Sequence, residues 1–212
     1  MNPLSIVALL HCFLFAGLVQ SAPVSSSDPP PALREAAERA KTLVEKILRD
    51  IPTVYTATIT TQGLTLDPSS QTTNLQMMVT SLGIPAAPVI KPPSERFTLD
   101  ICVSRMLAGS RLYQGLLGVL SDKLSGPSGL SDLRADLRDL LTHINKMKEV
   151  AQLRADVVEQ NHGLDLASRL HGNYDVQVAA HLTLTQLRSF CHDLIRSLRA
   201  VAAYRPRAAG AH

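Results

Sequence analysis

The sequence predicts an all-α protein: an up-up-down-down, long-chain four-helix bundle with two long crossover connections. Two observations carry this. Four segments rich in Leu and Ala repeat their apolar residues at i, i+3, i+4 spacing, the period of a helix with one buried stripe. The links between them run long, short, long. A tight link makes neighbouring helices antiparallel, whereas a long one can return along the bundle and make the next helix parallel to the last.

The first helix is read over residues 32–51, where Leu33, Ala36, Ala37, Ala40, Leu43, Val44, Ile47, Leu48 and Ile51 form the stripe and charged residues fill the gaps. Pro52 marks its end, because the residue before a proline resists the α region. Thr53–Pro93 follows as a Thr/Ser/Pro-rich connection with one or two helical turns over 74–82. The second helix is read over 94–124, with Phe97, Ile101, Met106, Leu112, Tyr113, Leu116, Leu117 and Leu120 on its apolar face. Gly109, Gly115 and Gly118 interrupt it and offer close helix approach. Gly126-Pro127-Ser128-Gly129 is a turn cluster. It leads to a third helix over 131–155, with Ser131 or Asp132 as its cap. A second long connection spans 156–174. The last helix, 175–203, aligns Val176, Ala179, Leu182, Leu187, Phe190, Cys191, Leu194, Leu198 and Val201.

The chain divides into a signal peptide (1–21), a Pro/Ser-rich flexible leader (22–31), a four-helical domain (32–203) and a disordered basic tail (204–212). Residues 4–19 form an apolar run ending at Val19-Gln20-Ser21-Ala22, which places cleavage after Ser21. The run is short for a bilayer span and no stop-transfer cluster follows, which weighs against an uncleaved anchor. The expected location is therefore secreted and extracellular, with no membrane insertion. Net charge is only +3, from 21 basic and 18 acidic residues, and Trp is absent. That balance argues against nucleic acid as a partner. Beyond the signal peptide only Cys102 and Cys191 remain. They can pair in an oxidising compartment or stay as buried free thiols, since each falls on an apolar stripe.

Chemistry-bearing patterns are sparse. The sequence contains no nucleophile elbow, phosphate-cradling loop or His-Glu-x-x-His zinc motif. The histidines are too scattered to chelate one ion, so neither an enzyme nor a cofactor or metal is expected. Asp132, Asp136 and Asp139 recur at i, i+4, i+7 and share one helix face. That face is either simply solvated or an acidic patch suited to a basic partner surface.

Ser81-Leu82-Gly83-Ile84-Pro85-Ala86-Ala87-Pro88 resembles the Ser-Leu-Gly-Ile-Pro-x-Ala-Pro segment of the granulocyte colony-stimulating factor family of long-chain helical cytokines. Leu112-Tyr113-Gln114-Gly115-Leu116-Leu117 matches a hexapeptide of its second helix. Leu187-Arg188-Ser189-Phe190 and Arg196-x-Leu198-Arg199 follow its last helix. The resemblance implies a secreted growth factor of granulopoiesis and the immune response, monomeric until it binds and dimerises a class I cytokine receptor. It implies receptor contacts at Asp136 and Asp139, with Lys41 and Glu45 as first-helix candidates. At a second surface Leu170 stands in place of an aromatic contact, and Asn74 in place of an acidic one. Three departures accompany it: Pro92 replaces a cysteine that the family bridges to the equivalent of Cys102, the other family bridge is missing, and Ala86 replaces a tryptophan. The competing readings are a related interleukin-six-type cytokine and a lipid-binding amphipathic bundle of apolipoprotein type.

Overall fold

The computed structural model describes residues 30–66, 73–124, 129–154 and 162–204. The signal peptide, the leader before Pro30, residues 126–128 of the turn cluster and the tail beyond Tyr204 lie outside the described residues. Six helices and no strand occur among the described residues: α1 (Pro31–Thr58), α2 (Thr73–Leu82), α3 (Leu99–Lys123), α4 (Leu130–Val150), α5 (His162–Arg169) and α6 (Asn173–Ala202).

Three contacts define the topology. Val54 near the end of α1 meets Gly129 at the start of α4. Gly118 late in α3 faces Arg134 early in α4. Tyr55 Oη lies 2.8 Å from His181 Nδ1, joining the end of α1 to the first part of α6. Thus α4 and α6 both begin where α1 ends, and α3 runs parallel to α1. This is the up-up-down-down arrangement, with α4 packed against both α1 and α3, and α6 likewise. At the other end, the backbone N–H of Arg154 donates to Asp100 Oδ1 at 3.0 Å, tying the exit of α4 to the entry of α3.

Several boundaries differ from the sequence reading. Helix α1 does not stop before Pro52 but continues for about two more turns, to Thr58. An interior proline removes one backbone hydrogen bond and costs roughly 3 kcal/mol. The continuation buries Val54, Tyr55 and Thr58 on the same stripe as Ile47 and Ile51, and that tertiary burial offsets the cost. Helix α3 starts at Leu99 rather than 94. Thr98 caps it, its hydroxyl accepting from the Ile101 backbone N–H at 3.4 Å. Neither Ser131 nor Asp132 caps α4; Gly129 does, without a side-chain bond, at φ +71°. That backbone conformation favours glycine, and a side chain there would also strike Val54. Helix α4 ends at Val150, not 155, and Gln152 then turns the chain at φ +51°. The second connection, read from the sequence as an uninterrupted link, holds a short helix, α5.

Both crossovers are attached to the bundle. The Arg169 guanidinium lies over Gly83 and donates to Ser81 O at 3.2 Å, linking the end of α5 to the end of α2. Arg188 Nη1 of α6 donates to Leu66 O at 3.1 Å. Gln177 brackets the exit of α1, donating to Thr58 O at 2.9 Å and accepting from the Thr60 N–H at 2.7 Å. Of the three interior glycines of α3, Gly109 is the tightest: an added Cβ would overlap the Phe190 ring. Close approach of α3 and α6 therefore requires glycine at 109, whereas Gly115 faces open space.

Candidate functional site

The acidic flank of α4 is built by helical periodicity. Leu133, Leu137, Leu140, Ile144 and Met147 turn inward. Asp132 and Asp139 are left exposed, and Asp136 sits at the edge facing α1. Asp136 meets Lys46 of α1, Oδ2 to Nζ 2.5 Å, with its side chain only 15% exposed. Lys46 also reaches Asp50 at 3.0 Å. The Asp136 carboxylate, then Asp50, holds the Lys46 ammonium above its ordinary pKa, while partial burial opposes the shift. Asp139 stays at the rim, 3.8 Å from Arg138 Nε and 63% exposed.

The four candidates on this side do not converge on one patch. Asp136 and Asp139 share the flank of α4, and the α1 residue joined to Asp136 is Lys46. Lys41, which pairs with Glu38, is five residues earlier, about 140° around the helix at 100° per residue. Glu45 is about 100° from Lys46 by the same rule and is half-buried. Sequence reasoning misses Lys46 because only its i, i+4 spacing to Asp50 is visible there. Its contact with Asp136 spans 90 positions.

The second candidate surface is arranged differently from expectation. Leu170 is buried, 7% exposed, within the core cluster at the α5–α6 junction. Its side chain therefore supports this end of the bundle from beneath and does not reach outward as an exposed aromatic would. Large apolar groups that do reach solvent include Tyr174 at the start of α6, 57% exposed, and Met77 on α2, 61% exposed. Asn74 belongs to α2, and its side chain lies outside the described residues.

Cys102 and Cys191 are both buried free thiols. Burial pushes the Cys102 thiol up to about 12 and raises Cys191 further still, so neither is poised as a thiolate. A buried polar pair also joins α1 to α6. Burial raises the Tyr55 phenol to about 12 and lowers His181 from its ordinary value, so the imidazole is neutral and shares one hydrogen bond with Tyr55. The other ring nitrogen, Nε2, is buried without a partner among the described residues. Among those residues no group of three or more His, Cys, Asp or Glu could hold a metal ion, and no helix is long and apolar enough to cross a membrane.

Comparison with known proteins adds a relative. No family model matches the chain. The chain is similar to human granulocyte colony-stimulating factor, 35% identical over 126 residues. The matched stretch covers 58% of this chain and 58% of that relative, less than two thirds of its length. The likeness and the all-helical bundle together support a cytokine resembling granulocyte colony-stimulating factor.

Proposed function

We propose that this chain is a secreted cytokine that binds and dimerises a class I cytokine receptor and so stimulates granulocyte-lineage proliferation and differentiation. The similarity to human granulocyte colony-stimulating factor carries the reading. The two-crossover bundle supports it, because that topology presents the outer faces of α1, α4 and α6 on one packed bundle. The chain acts by shape and charge rather than by a reaction: it is a ligand, monomeric until the receptor joins two complexes.

The principal receptor surface in this reading is the groove between α1 and α4. Asp132 and Asp139 project into solvent, and Asp136 is held in place by Lys46. Exposed carboxylates steer a basic partner and raise the association rate, while a small central cluster supplies most of the affinity. Lys41 and Glu45 contribute from a separate strip of α1. At the second surface, Tyr174 and Met77 supply exposed apolar area, and Leu170 holds that end in shape.

The test is proliferation of cells bearing the granulocyte colony-stimulating factor receptor, beside receptor-negative cells. Wild type should drive growth only in the former. The double variant Asp136→Lys, Asp139→Lys should weaken potency by roughly tenfold or more, the loss of one or two favourable charge contacts, with unchanged circular dichroism. Retained potency would remove this surface from the reading.

A further inference from the structure

Beyond Pro52, helix α1 has little of its own to hold it. Pro52 has no N–H, so the Leu48 carbonyl lacks its i+4 donor. In the segment 53–58 every residue but Ala57 is β-branched or aromatic, and such residues are weak helix formers. The Thr56 hydroxyl turns back on the Thr53 and Pro52 carbonyls, at 2.9 and 3.2 Å, a local bond that weakens a helix rather than extending it. These last turns of α1 are therefore held from outside.

One stretch of α6 supplies that hold. Gln177 donates to Thr58 O at 2.9 Å and accepts from the Thr60 N–H at 2.7 Å. One turn later His181 Nδ1 lies 2.8 Å from Tyr55 Oη. His181 is 1% exposed, and its Nε2 has no partner among the described residues. Either tautomer of the neutral ring fits this pair. In the protonated ring both nitrogens are donors, so either Tyr55 must accept instead of donate or a hydrogen is added at Nε2, where it meets no acceptor. Both routes leave a cation in the core with no counter-ion. From α1 the ring meets Tyr55, and Asp50, the nearest carboxylate along that helix, is paired with Lys46. Helix α2 carries no charged residue, and Asp122 and Lys123 at the end of α3 are exposed. On α6 itself, Asp175 accepts from the His171 N–H and Arg188 donates to Leu66 O. Burial accordingly lowers the His181 pKa with no charge opposing it.

We propose that the Tyr55–His181 pair is an acid-sensitive latch: protonation of the imidazole releases residues 53–60 from α6 while the bundle before Pro52 stays folded. Its action is independent of the receptor reading. Release exposes the charged ring to water, which solvates it as the core does not. Pro52 places the break, because the hydrogen-bond ladder is already interrupted there. Val54 packs on Gly129, so release also frees the start of α4 at this end of the bundle. The Lys46–Asp136 contact lies before Pro52 and is kept. Acid thus alters one end of the molecule and leaves the acidic flank in place.

Hydrogen exchange of the full chain tests the latch, read by mass spectrometry on peptides covering 53–60, 33–48 and 133–147 and corrected for the intrinsic pH dependence of exchange. From about pH 7.5 to pH 5, protection of 53–60 should fall about 10–30-fold, the upper limit set by a released imidazole with the ordinary pKa of about 6.5. The other two peptides should keep their protection, as expected of a local opening. His181→Gln should abolish the acid dependence. Tyr55→Phe should lower protection of 53–60 at both pH values and keep the acid dependence, since the ring is still buried without a counter-ion. Circular dichroism checks that each variant is folded. Should His181→Gln fail to fold, the ring-proton NMR titration of His181 in the wild type takes its place, and its midpoint should coincide with the loss of protection. Protection of 53–60 that does not change with pH, an equal fall in all three peptides, an acid dependence that survives in His181→Gln, or a His181 midpoint separate from the loss of protection would overturn the assignment.

Discussion

The α1/α4 flank and the α5/α6 end of the bundle present side chains in opposite ways. At the flank, the residues singled out from the sequence are carboxylates that lie outside the core, and the core beneath them is complete without them. Asp136 is tied down by Lys46 and Asp139 stands at the rim. At the α5/α6 end, the residue singled out is itself part of the core: Leu170 is buried where the second crossover enters the last helix, and Tyr174 four residues later is exposed. A mutation at the flank should therefore change recognition while sparing the fold. A mutation at the other end should damage the fold first, and any loss of activity there would follow from it.

The largest effect that separates the two regions is expected from Leu170→Ala. Truncating a buried leucine costs about 2–5 kcal/mol through lost burial and the cavity left behind. Denaturant unfolding should show that loss, whereas Asp139→Ala, at an exposed position, should stay within about 0.5 kcal/mol of wild type. Equal stability of the two variants would erase the distinction.

A second effect, dependent on pH, belongs to the structural side of the comparison. Burial lowers the His181 pKa below its unfolded value of about 6.5, so the fold favours neutral imidazole. This contribution is fully present above about pH 6.5 and is lost as pH falls below it toward the folded value, with a limiting slope of about 1.4 kcal/mol per pH unit. In the tautomer whose Nδ1–H donates to Tyr55, protonation would also put a hydrogen on Nε2, which has no acceptor among the described residues. Stability measured from about pH 7.5 to pH 5 should decline in wild type and lose this component in His181→Gln. Identical profiles would show that the Tyr55–His181 pair does not titrate with folding.

The smallest effect is expected at the flank. The Lys46–Asp136 bridge is partly exposed on the lysine side, so a double-mutant cycle with alanine should give a coupling of about 0.2–1 kcal/mol. The coupling should shrink as salt is raised. A coupling above about 2 kcal/mol, beyond the range of exposed pairs, would make the flank as structural as the Leu170 end.

Much of the bundle is legible in the sequence because each helix carries its own instructions. The leucine stripe of α4 and the alanine-rich stripe of α1 define which faces turn inward, and the link lengths imply two crossovers. The helix ends are less legible. Pro52 is a stop signal in any local reading, and it is overridden only because Val54, Tyr55 and Thr58 find α4 and α6 beside them. Helix α5 is short, and its hold on α2 through Arg169 depends on Gly83, far earlier in the chain.

The candidate site divides in the same way. Periodicity alone puts Asp132, Asp136 and Asp139 on one face of one helix. It cannot name Lys46 as the partner of Asp136, separate Lys41 and Glu45 from that groove, or show that Leu170 faces inward. The helical class, the four stripes, the two long returns and the acidic face all follow from the order of residues, because interactions within a few turns set each of them. Long-range packing was needed to establish where α1 ends, which cation meets Asp136, that Leu170 is core and that Tyr55 meets His181. Those outcomes depend on which surfaces meet across tens of residues, and burial there outweighs local preference.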